Sequence, residues 1–297
     1  MVESDRQPPR IAVILSTYEQ PAWLEKVLWG YAVQTTSHFD LLVADDGSGP
    51  ATARAVDSAR RAFGARLRHL WHSDQGFRKC EILNKAIAAT DAPYLLFSDG
   101  DCIPRYDFVA THARLARPGA FLSGGVIWLP LELSLRIARS DVEAGLVADA
   151  AWLTANGWAA GRHRLRLVRS HTAATLLDRI TPTGATFNGH NASAWREDVV
   201  RANGFDAEMG YGGLDRALGE RLVNMGVHGR RVRFRAVCFH LDHTRGYRRS
   251  AVLERNREIR ARIRAHREVR ARLGIAELAE PAVELQGETT DSRAPDA

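Results

Sequence analysis

The stretch 95-LLFSDGDCIP-104 joins an apolar run to two aspartates, Asp99 and Asp101, that are separated by a single glycine. A short apolar run of this kind is typical of a strand buried on both faces. Two carboxylates at this spacing repel each other unless a cation or strong hydrogen-bond donors lie between them. The stretch is therefore either a solvated turn or a cation site, and its surroundings decide between the two.

Two earlier segments repeat this design of a buried strand that ends in polar side chains. Residues 11–16, IAVILS, lead to Thr17, and residues 39–48, FDLLVADDGS, place Asp45 at the end of a strand. Helical patterns alternate with these strands over residues 23–33, 51–64 and 78–90. Such alternation predicts an α/β fold with a mostly parallel sheet, in which ligands bind beyond the carboxyl ends of the strands. We therefore expect the three polar strand ends to form one site.

Composition narrows the class of protein. The 297 residues are 45% apolar and 26% charged, which is ordinary for a globular chain, and the three cysteines form no CxxC pair. No apolar signal or spanning segment is apparent, so we expect a cytoplasmic location. The fingerprints GxGxxG, GxxxxGK[ST] and HxxxH are missing, which argues against dinucleotide enzymes, P-loop enzymes and zinc proteases.

The positive net charge of +6 is concentrated near the C-terminus. Residues 248–275 predict a basic helix with a thin apolar stripe, within an arginine-rich stretch over residues 245–273. Its charge marks either a solvated outer face or a peripheral contact with anionic lipid at the inner membrane or with an acidic substrate. Nucleic acid is disfavoured, because aromatic residues are not interleaved there. Residues 1–9 are expected to be flexible, and the acidic residues 276–297 to be disordered.

The polar clusters have structural and chemical interpretations. Asp99 and Asp101 cap a turn, or they hold Mn²⁺ or Mg²⁺ together with substrate phosphates. His240 and His243 follow the last predicted strand, where they either pack or supply a further metal ligand. Asp215 follows the glycine-rich turn GYGG and begins a helix, so it is either an N-terminal capping charge or a general base.

In their order along residues 10–247, these motifs resemble the family 2 glycosyltransferases. ILSTYEQPAWLEKVLWGYAVQ is similar to the opening strand and helix of that family, LLVADDGS to its nucleotide-recognition strand and FSDGDCIP to its DxD motif. NASAWREDVVRANGFDAEMGYGGLDRALGERLVNMG resembles the C-terminal half of galactosyltransferase and chondroitin-polymerase-like members. The resemblance implies a GT-A fold with a Rossmann-like sheet and a C-terminal helical extension. It also implies an inverting, metal-dependent transfer from a nucleotide-sugar, commonly a UDP-sugar, to a glycan or lipid-linked hydroxyl.

The resemblance divides the chain into a nucleotide-sugar-binding half, residues 10–130, and an acceptor-binding and catalytic half, residues 131–247. It implies roles for individual side chains, with Asp45 facing the base and Lys79 and Asn84 approaching the nucleotide or its phosphates. The nucleotide-sugar set is Thr17, Tyr18, Glu19, Asp45, Lys79, Asn84 and Asp99. The remaining assignments are Asp101 and His240, with His243 as the competing choice, for the metal, Asp215 for the base, and Trp128, Asn191 and Gly213 for the acceptor.

One position departs from the family. The Glu-Asp pair that carries the base is here Leu214-Asp215, so the acceptor contacts expected from the glutamate are missing. A non-catalytic nucleotide-sugar binding module is therefore one alternative. A nucleotidyltransferase is a weaker one, because STYEQP is not a triphosphate loop. Trp152 and Trp158 either extend an aromatic acceptor platform with Trp128 or belong to the core.

Overall fold

The computed structural model of the chain describes residues 7–243 and 249–286. The strands are β1 Ile11–Thr17, β2 Phe39–Asp45, β3 Leu67–Trp71, β4 Tyr94–Asp99, β5 Cys102–Pro104, β6 Ala120–Ser123, β7 Gly125–Trp128, β8 Ala192–Trp195, β9 His228–Arg231, β10 Val237–His240 and β11 Val283–Leu285. The α-helices are α1 Pro21–Ala32, α2 Pro50–Phe63, α3 Lys79–Ala88, α4 Phe108–Leu115, α5 Leu131–Arg136, α6 Arg139–Glu143, α7 Ala150–Ala155, α8 His171–Ile180, α9 Arg196–Arg201, α10 Leu214–Asn224 and α11 Ser250–His266.

A mixed, mostly parallel sheet forms the centre of the fold. Within the described residues its strand order is β11-β3-β2-β1-β4-β8-β6-β9. The pairs β1–β2, β1–β4, β2–β3 and β6–β9 are parallel, whereas β8 runs antiparallel to both β4 and β6. The alternation of strands and helices therefore predicted the first half of the sheet. It did not predict that β8 would lie antiparallel between β4 and β6.

The register of the central strands brings the polar strand ends together. On β1, Thr17 lies opposite Asp45 of β2, and Ser16 lies opposite Asp99 of β4. These parallel strands all end at one edge of the sheet, so their terminal side chains share one opening. A smaller sheet, in the order β5-β10-β7, continues from this edge and carries His240.

Two apolar layers cover the faces of the central sheet. Ile11, Val13 and Leu15 of β1 belong to one buried cluster, which includes α1 and the small sheet, and Ala12 and Ile14 belong to the other, which includes α3 and α10. Side chains of a strand alternate between faces, so a strand with both sets buried must be apolar throughout. This arrangement explains why the strand sequences show continuous apolar runs instead of alternation.

Part of the acidic C-terminal segment is ordered, contrary to the sequence-based expectation of disorder from residue 276. Residues Val283–Leu285 form β11, which pairs antiparallel with β3. Arg68 donates hydrogen bonds to the Glu284 carboxylate, the shortest at 2.7 Å. A strand of three residues is too short to show a periodic pattern, so composition alone predicted disorder there. Residues 1–6, 244–248 and 287–297 lie outside the described part, including the start of the basic stretch and the end of the tail.

The helix α11, Ser250–His266, is shorter than the basic helix expected over residues 248–275. Ile259 and Ile263 are buried against α10, which accounts for the thin apolar stripe in the sequence. Several of its arginines are paired with carboxylates, as in Arg260–Glu220 at 2.6 Å. No helix in the described ranges has both the length and the apolar character needed to cross a bilayer.

Candidate functional site

A cavity of about 900 Å³ opens at the carboxyl edge of the central sheet. We call it the strand-end cavity. Its walls come from the ends of β1, β4 and β10, from the loop before β8 and from the start of α10. Of the residues assigned from the sequence, it is lined by Thr17, Tyr18, Glu19, Lys79, Asp99, Asp101, Trp128, Gly213, Asp215, His240 and His243. The three polar strand ends therefore meet as expected, although not every predicted side chain faces the cavity.

Asp99 is held as an anion at the end of β4. Its Oδ1 accepts hydrogen bonds from Ser16 Oγ and Lys79 Nζ, each at 2.7 Å. Burial raises the pKa of this carboxyl, but the adjacent Lys79 charge and hydrogen bond outweigh burial and leave the pKa below its ordinary value. Gly100 donates its N–H to the Ser16 carbonyl at 2.7 Å, which ties the DGD turn to β1.

Asp101 faces two imidazoles instead of a lysine. Its Oδ2 lies 3.0 Å from His243 Nε2 and 3.5 Å from His240 Nε2, while its Oδ1 accepts a weak hydrogen bond from Cys102 Sγ at 3.2 Å. The Asp101, Cys102 and His240 ligand atoms all lie within 4.8 Å of one another. Burial raises the pKa of the Cys102 thiol, so sulfur stays protonated and is a poor ligand.

The donor set around Asp101 fits a divalent cation. A carboxylate oxygen and imidazole nitrogens are ordinary ligands of such ions, and both histidines converge on the same carboxylate oxygen. Asp99, Asp101 and Asp215 all line the strand-end cavity, with Lys79 as a partial counter-charge. The lining therefore carries an excess of negative charge that a cation would neutralise.

Asp215 lies in the first turn of α10 and points into the same cavity. Its Oδ2 accepts the Gly189 N–H at 2.9 Å, and its Oδ1 accepts the Arg216 N–H at 2.8 Å. The helix begins after Gly213, whose φ of 85° is the left-handed conformation that glycine adopts without strain. Asp215 is thus held by backbone donors in a fixed orientation, which suits a group that must approach a substrate proton.

Leu214, at the position where the resemblance leads us to expect a glutamate, belongs to the core. It is 7% exposed and packs in the apolar cluster that includes α10. Its side chain contributes only apolar surface to the edge of the strand-end cavity. The acceptor contacts of a glutamate are therefore missing here, as the sequence indicated.

Tyr18 and Glu19, which the sequence assigned to the nucleotide-sugar, line one side of the strand-end cavity. Tyr18 is 46% exposed, and its hydroxyl donates to Asp74 Oδ2 at 3.1 Å, so that its ring remains accessible as a stacking surface. Glu19 Oε1 accepts the Gly49 N–H at 2.8 Å. This bond ties the β1 loop to the loop that follows β2.

Asp45 does not face the cavity, which corrects its assignment to the base. It is fully buried, its Oδ2 lies 2.8 Å from His69 Nε2, and its Oδ1 accepts the Ser48 N–H at 2.8 Å. The neighbouring Asp46 lines the cavity instead, where it bonds His72 Nε2 at 2.8 Å and accepts the Arg78 N–H at 3.0 Å. Successive residues at a strand end point in different directions, so the sequence could not distinguish these two aspartates.

Asn84 is also placed away from the cavity. Its amide donates to the Phe205 carbonyl at 2.7 Å and accepts the Phe205 N–H at 2.8 Å, with no exposed surface. It therefore joins α3 to the loop before α10 instead of approaching a nucleotide. Lys79, one turn earlier, does line the cavity.

Asn191 is a structural residue rather than an acceptor ligand. Its Nδ2 donates to the carbonyls of Gly125 at 2.8 Å and Ala236 at 3.1 Å, and its Oδ1 lies 3.0 Å from His112 Nε2. The side chain is fully buried. It joins the loop before β8 to β7 and to the start of β10.

Of the three tryptophans considered for an acceptor platform, only Trp128 fits the geometry. It is 47% exposed, lines the strand-end cavity and lies with its ring centroid 4.1 Å from that of His240. Trp158 is buried in the core, and Trp152 packs partly buried against the same cluster. The core interpretation is therefore correct for these two.

Several lining residues had no role in the sequence-based prediction. His190 lies beside Trp128, with ring centroids 6.3 Å apart; burial lowers its pKa, whereas the charges of Asp99, Asp215 and Asp101 act in the opposite direction. Further lining residues that were missed are Phe77, Tyr211, Arg249 and Val252. The sequence could have indicated His190 as a site residue, because it directly precedes Asn191 in the motif NGHNAS.

Part of the chain resembles known glycosyl transferases in sequence. Residues 12–127 match the sequence model described as Glycosyl transferase family 2. Two curated relatives named validoxylamine A glucosyltransferase, from Streptomyces hygroscopicus subsp. jinggangensis (strain 5008) and subsp. limoneus, are each 28% identical over 232 residues. Those alignments cover 74% of this chain and 52% and 49% of the relatives. The chain thus spans about half the length of the curated relatives it matches.

Solved structures share the fold at low sequence identity. S. aureus TarS 1-349 in complex with UDP-GlcNAc superposes with a TM-score of 0.58 and 14% identity, covering 91% of this chain and 69% of that one. A mannosyltransferase from Pyrobaculum calidifontis, in complex with GDP-Man and Mn²⁺, superposes with a TM-score of 0.53 and 21% identity, covering 82% and 61%. The chain therefore has the GT-A fold, and residues 12–127 within it match the family 2 glycosyl transferase model.

Proposed function

We propose that this chain is an inverting, metal-dependent glycosyltransferase. It moves a sugar from a nucleotide-sugar donor, commonly a UDP-sugar, to a hydroxyl of a glycan or lipid-linked acceptor. The observation that carries this proposal is the convergence on one cavity of a backbone-oriented carboxylate, Asp215, with Asp101 and its two histidines. A base and a diphosphate-binding cation site in one cavity are what a single displacement at an anomeric carbon requires.

Proton transfer to Asp215 drives the proposed step. The acceptor hydroxyl oxygen forms a bond to the anomeric carbon while the bond from that carbon to the diphosphate oxygen breaks. The hydroxyl proton goes to the Asp215 carboxylate, and the bonding electron pair leaves with the nucleoside diphosphate. Because attack and departure occur on opposite faces in one displacement, the configuration at the anomeric carbon inverts and no covalent enzyme intermediate is needed.

Asp101 and His240 would hold the divalent cation, with His243 as the competing choice for the imidazole ligand. When bound, such an ion neutralises negative charge on the diphosphate. Lys79, paired with Asp99 in the same cavity, supplies a permanent positive charge near that position. The pairing raises the Lys79 pKa, because the Asp99 charge and hydrogen bond outweigh the burial that opposes it, so Lys79 stays protonated.

The donor and acceptor ends of the site follow from the lining residues. Thr17, Tyr18 and Glu19 lie at the end of β1, where Tyr18 offers an exposed ring for the base. Trp128 offers an apolar ring face to a sugar at the other side. The named activities and ligands of the relatives support this class, and the resemblance of the C-terminal half to galactosyltransferase and chondroitin-polymerase-like enzymes is part of the proposal.

Donor hydrolysis and ligand binding test the proposal together. A thermal-shift screen of UDP- and GDP-sugars, with and without Mn²⁺ or Mg²⁺, should identify a donor by the rise in melting temperature that binding produces. The selected donor should then be hydrolysed slowly in the presence of metal, with release of free sugar and nucleoside diphosphate.

The same measurements distinguish a glycosyltransferase from a non-catalytic nucleotide-sugar module, the alternative that Leu214 favours. A module would show the thermal shift without hydrolysis or transfer to any acceptor tested. Release of pyrophosphate from a nucleoside triphosphate would instead indicate a nucleotidyltransferase. A failure of all nucleotide-sugars to shift the melting temperature would remove the donor assignment itself.

A further inference from the structure

A second cleft, of about 450 Å³, shares no lining residue with the strand-end cavity. We call it the α8 cleft, after the helix that forms one wall. Thr172, Thr175, Leu176 and Arg179 line it, and their spacing of three and four residues places them on one face of α8. The opposite wall comes from the end of α4 and from the edge strand β9. The cleft is thus built by three elements that take no part in the proposed transfer site.

Positive charge is concentrated in the α8 cleft. Arg117, Arg179, Arg230 and Arg235 line it, and among the described residues no carboxylate does. Only Arg235 of these four has a carboxylate partner in the described ranges, Asp178 at 2.6 Å. The cleft therefore contains four guanidinium groups, of which one has a buried carboxylate partner, that of Asp178.

Of the guanidinium groups of the other three arginines, two donate hydrogen bonds to backbone carbonyl groups, and one has no hydrogen-bond partner in the described ranges. Arg117 donates to the Ala116 carbonyl at 2.9 Å and Arg230 to the Leu115 carbonyl at 3.4 Å. Within residues 7–243 and 249–286 the Arg179 guanidinium has no hydrogen-bond partner or counter-ion. Burial, and then the charges of Arg117 and Arg235, lower the pKa of Arg230. An anion in the cleft would relieve this repulsion.

Apolar side chains lie on the same helix as these charges. Leu176 is 58% exposed and Ile180, one turn later, is 64% exposed. Residues 160–185 contain five arginines and a single acidic residue, Asp178. Exposed aliphatic side chains beside cationic ones are typical of helices that lie in a membrane interface, where the apolar groups enter the acyl boundary and the cations meet phosphates.

The basic helix α11 has a different charge environment. Arg260 and Arg264 pair with Glu220 at 2.6 and 2.7 Å, and Arg262 pairs with Glu268 at 3.1 Å. Three of the five arginines of α11 thus pair with carboxylates within the described part of the protein, whereas one of the four in the α8 cleft does. The sequence left open whether residues 245–273 form a solvated face or meet anionic lipid or an acidic substrate. Among the described residues, a smaller share of the arginines is paired with carboxylates in the α8 cleft than in α11.

We propose that the α8 cleft, with the adjoining Leu176 and Ile180, binds phosphate headgroups of an anionic lipid bilayer. The arginines and the Thr172 hydroxyl supply donors for phosphate oxygens, and the exposed aliphatic groups enter the interface. This peripheral contact is independent of whether the strand-end cavity transfers a sugar. Anionic lipid at a membrane surface attracts each nearby arginine by an amount that corresponds to roughly fivefold in affinity.

Vesicle co-sedimentation of the full chain tests this proposal. The chain should bind vesicles of phosphatidylcholine with phosphatidylglycerol and not vesicles of phosphatidylcholine alone, and binding should weaken as salt increases. Arg179→Ala should weaken binding about fivefold and Arg179→Glu more, and Leu176→Ser should weaken it without changing its salt dependence. Arg257→Ala, on the exposed face of α11, is the matched control and should bind as the unaltered chain does.

Several results would overturn the proposal. One is equal binding by Arg179→Ala and the unaltered chain, and another is a loss with Arg257→Ala as large as that with Arg179→Ala. A thermal shift with inorganic phosphate that Arg179→Ala abolishes, without vesicle binding, would assign the cleft to a small phosphate ion instead. Circular dichroism melting of each variant checks that it folds, and exposed Arg179 is a position where substitution leaves the core intact.

Discussion

The Gly189 N–H donates a hydrogen bond to Asp215 Oδ2 at 2.9 Å and so joins the loop before β8 to the first turn of α10. Asp215 Oδ1 is held separately by the Arg216 N–H at 2.8 Å. Each carboxylate oxygen accepts one backbone hydrogen bond and keeps further lone-pair capacity. The carboxylate is therefore oriented by main-chain atoms and can still receive a proton.

Asp215→Asn should abolish most transfer while leaving donor binding unchanged. An amide has nearly the shape of the carboxylate and can still accept a backbone hydrogen bond, but it cannot take the acceptor proton. We expect kcat to fall by about 10²- to 10⁴-fold, the range for loss of a general base. Single-turnover transfer and calorimetric donor titration measure the two effects. The control is Arg216→Ala, an exposed neighbour, and transfer at an unaltered rate by Asp215→Asn would remove Asp215 from the role of base.

Asp101→Asn should weaken Mn²⁺ binding by about tenfold or more, because it removes the charged member of the proposed ligand set. His240→Ala should have a similar effect, since His240 is the proposed ligand. His243→Ala should have a smaller one, because it would act by orienting Asp101 at 3.0 Å. Titration of Mn²⁺ followed by electron paramagnetic resonance measures each affinity.

Cys102→Ser is the matched control for these metal variants, because it replaces the weak thiol donor to Asp101 with a hydroxyl. It should leave the Mn²⁺ affinity nearly unchanged. A larger loss with His243→Ala than with His240→Ala would exchange the roles of the two histidines. Unchanged affinity in all the variants would mean that the cation site lies elsewhere.

Trp128→Ala should raise the KM for the acceptor or the sugar without a large loss of stability. The ring is 47% exposed, so its removal leaves no closed cavity in the core. A lost stacking surface is worth about 0.5–1.5 kcal/mol, which corresponds to a few-fold to about tenfold change in KM. Trp128→Phe, which keeps an aromatic face, should retain most of the affinity. Equal KM values for the alanine and phenylalanine variants would exclude stacking.

Asn191→Ala should destabilise the fold instead of weakening acceptor binding. The change would leave the buried Gly125 and Ala236 carbonyls and the His112 ring without their amide partner. The Ala236 carbonyl would still accept the Gly125 N–H, so the cost is that of the lost hydrogen bonds. At about 0.5–1.5 kcal/mol for each of the three, we expect a total loss of about 2–4 kcal/mol in the free energy of unfolding. Urea denaturation measures it, with the partly exposed Asn188→Ala as the matched control. A change in acceptor KM at unaltered stability would restore the binding assignment.

The sequence predicted the positions of strand ends better than the directions of side chains. Apolar runs before Thr17, Asp45 and Asp99 located three neighbouring strands, because burial on both faces leaves a continuous signal. Whether Asp45 or Asp46 faces the opening depends on the partner across the sheet, here His69. That partner follows from the strand register, which periodicity within one strand does not contain.

The same limit explains the other corrections. Asn84 is on the correct helix, but its amide is turned toward the Phe205 backbone, a contact between segments 121 residues apart. Asn191 likewise satisfies carbonyls of segments that precede and follow it by many residues. Polar side chains in motifs are used both for ligands and for joining loops, and only tertiary contacts distinguish these uses.

The free energy of unfolding should decrease as the pH is lowered from 6.5 to 4, because His112 is buried. Its Nδ1 lies 2.7 Å from Ser193 Oγ and its Nε2 lies 3.0 Å from Asn191 Oδ1, and burial lowers its pKa to about 4. The unfolded chain, with an ordinary pKa near 6.5, binds the proton more readily, so acidification favours unfolding. At pH 5 the His112 contribution to the loss is about 2 kcal/mol relative to neutral pH.

Urea denaturation at pH 7 and pH 5 measures this loss. His112→Gln keeps a polar group toward Asn191 but cannot titrate, so its loss on acidification should be smaller by about 2 kcal/mol. Exposed His38→Gln is the matched control and should keep the loss of the unaltered chain. Equal losses for His112→Gln and the unaltered chain would show that His112 does not gain its proton on unfolding. In that case the acid sensitivity would have to come from other groups.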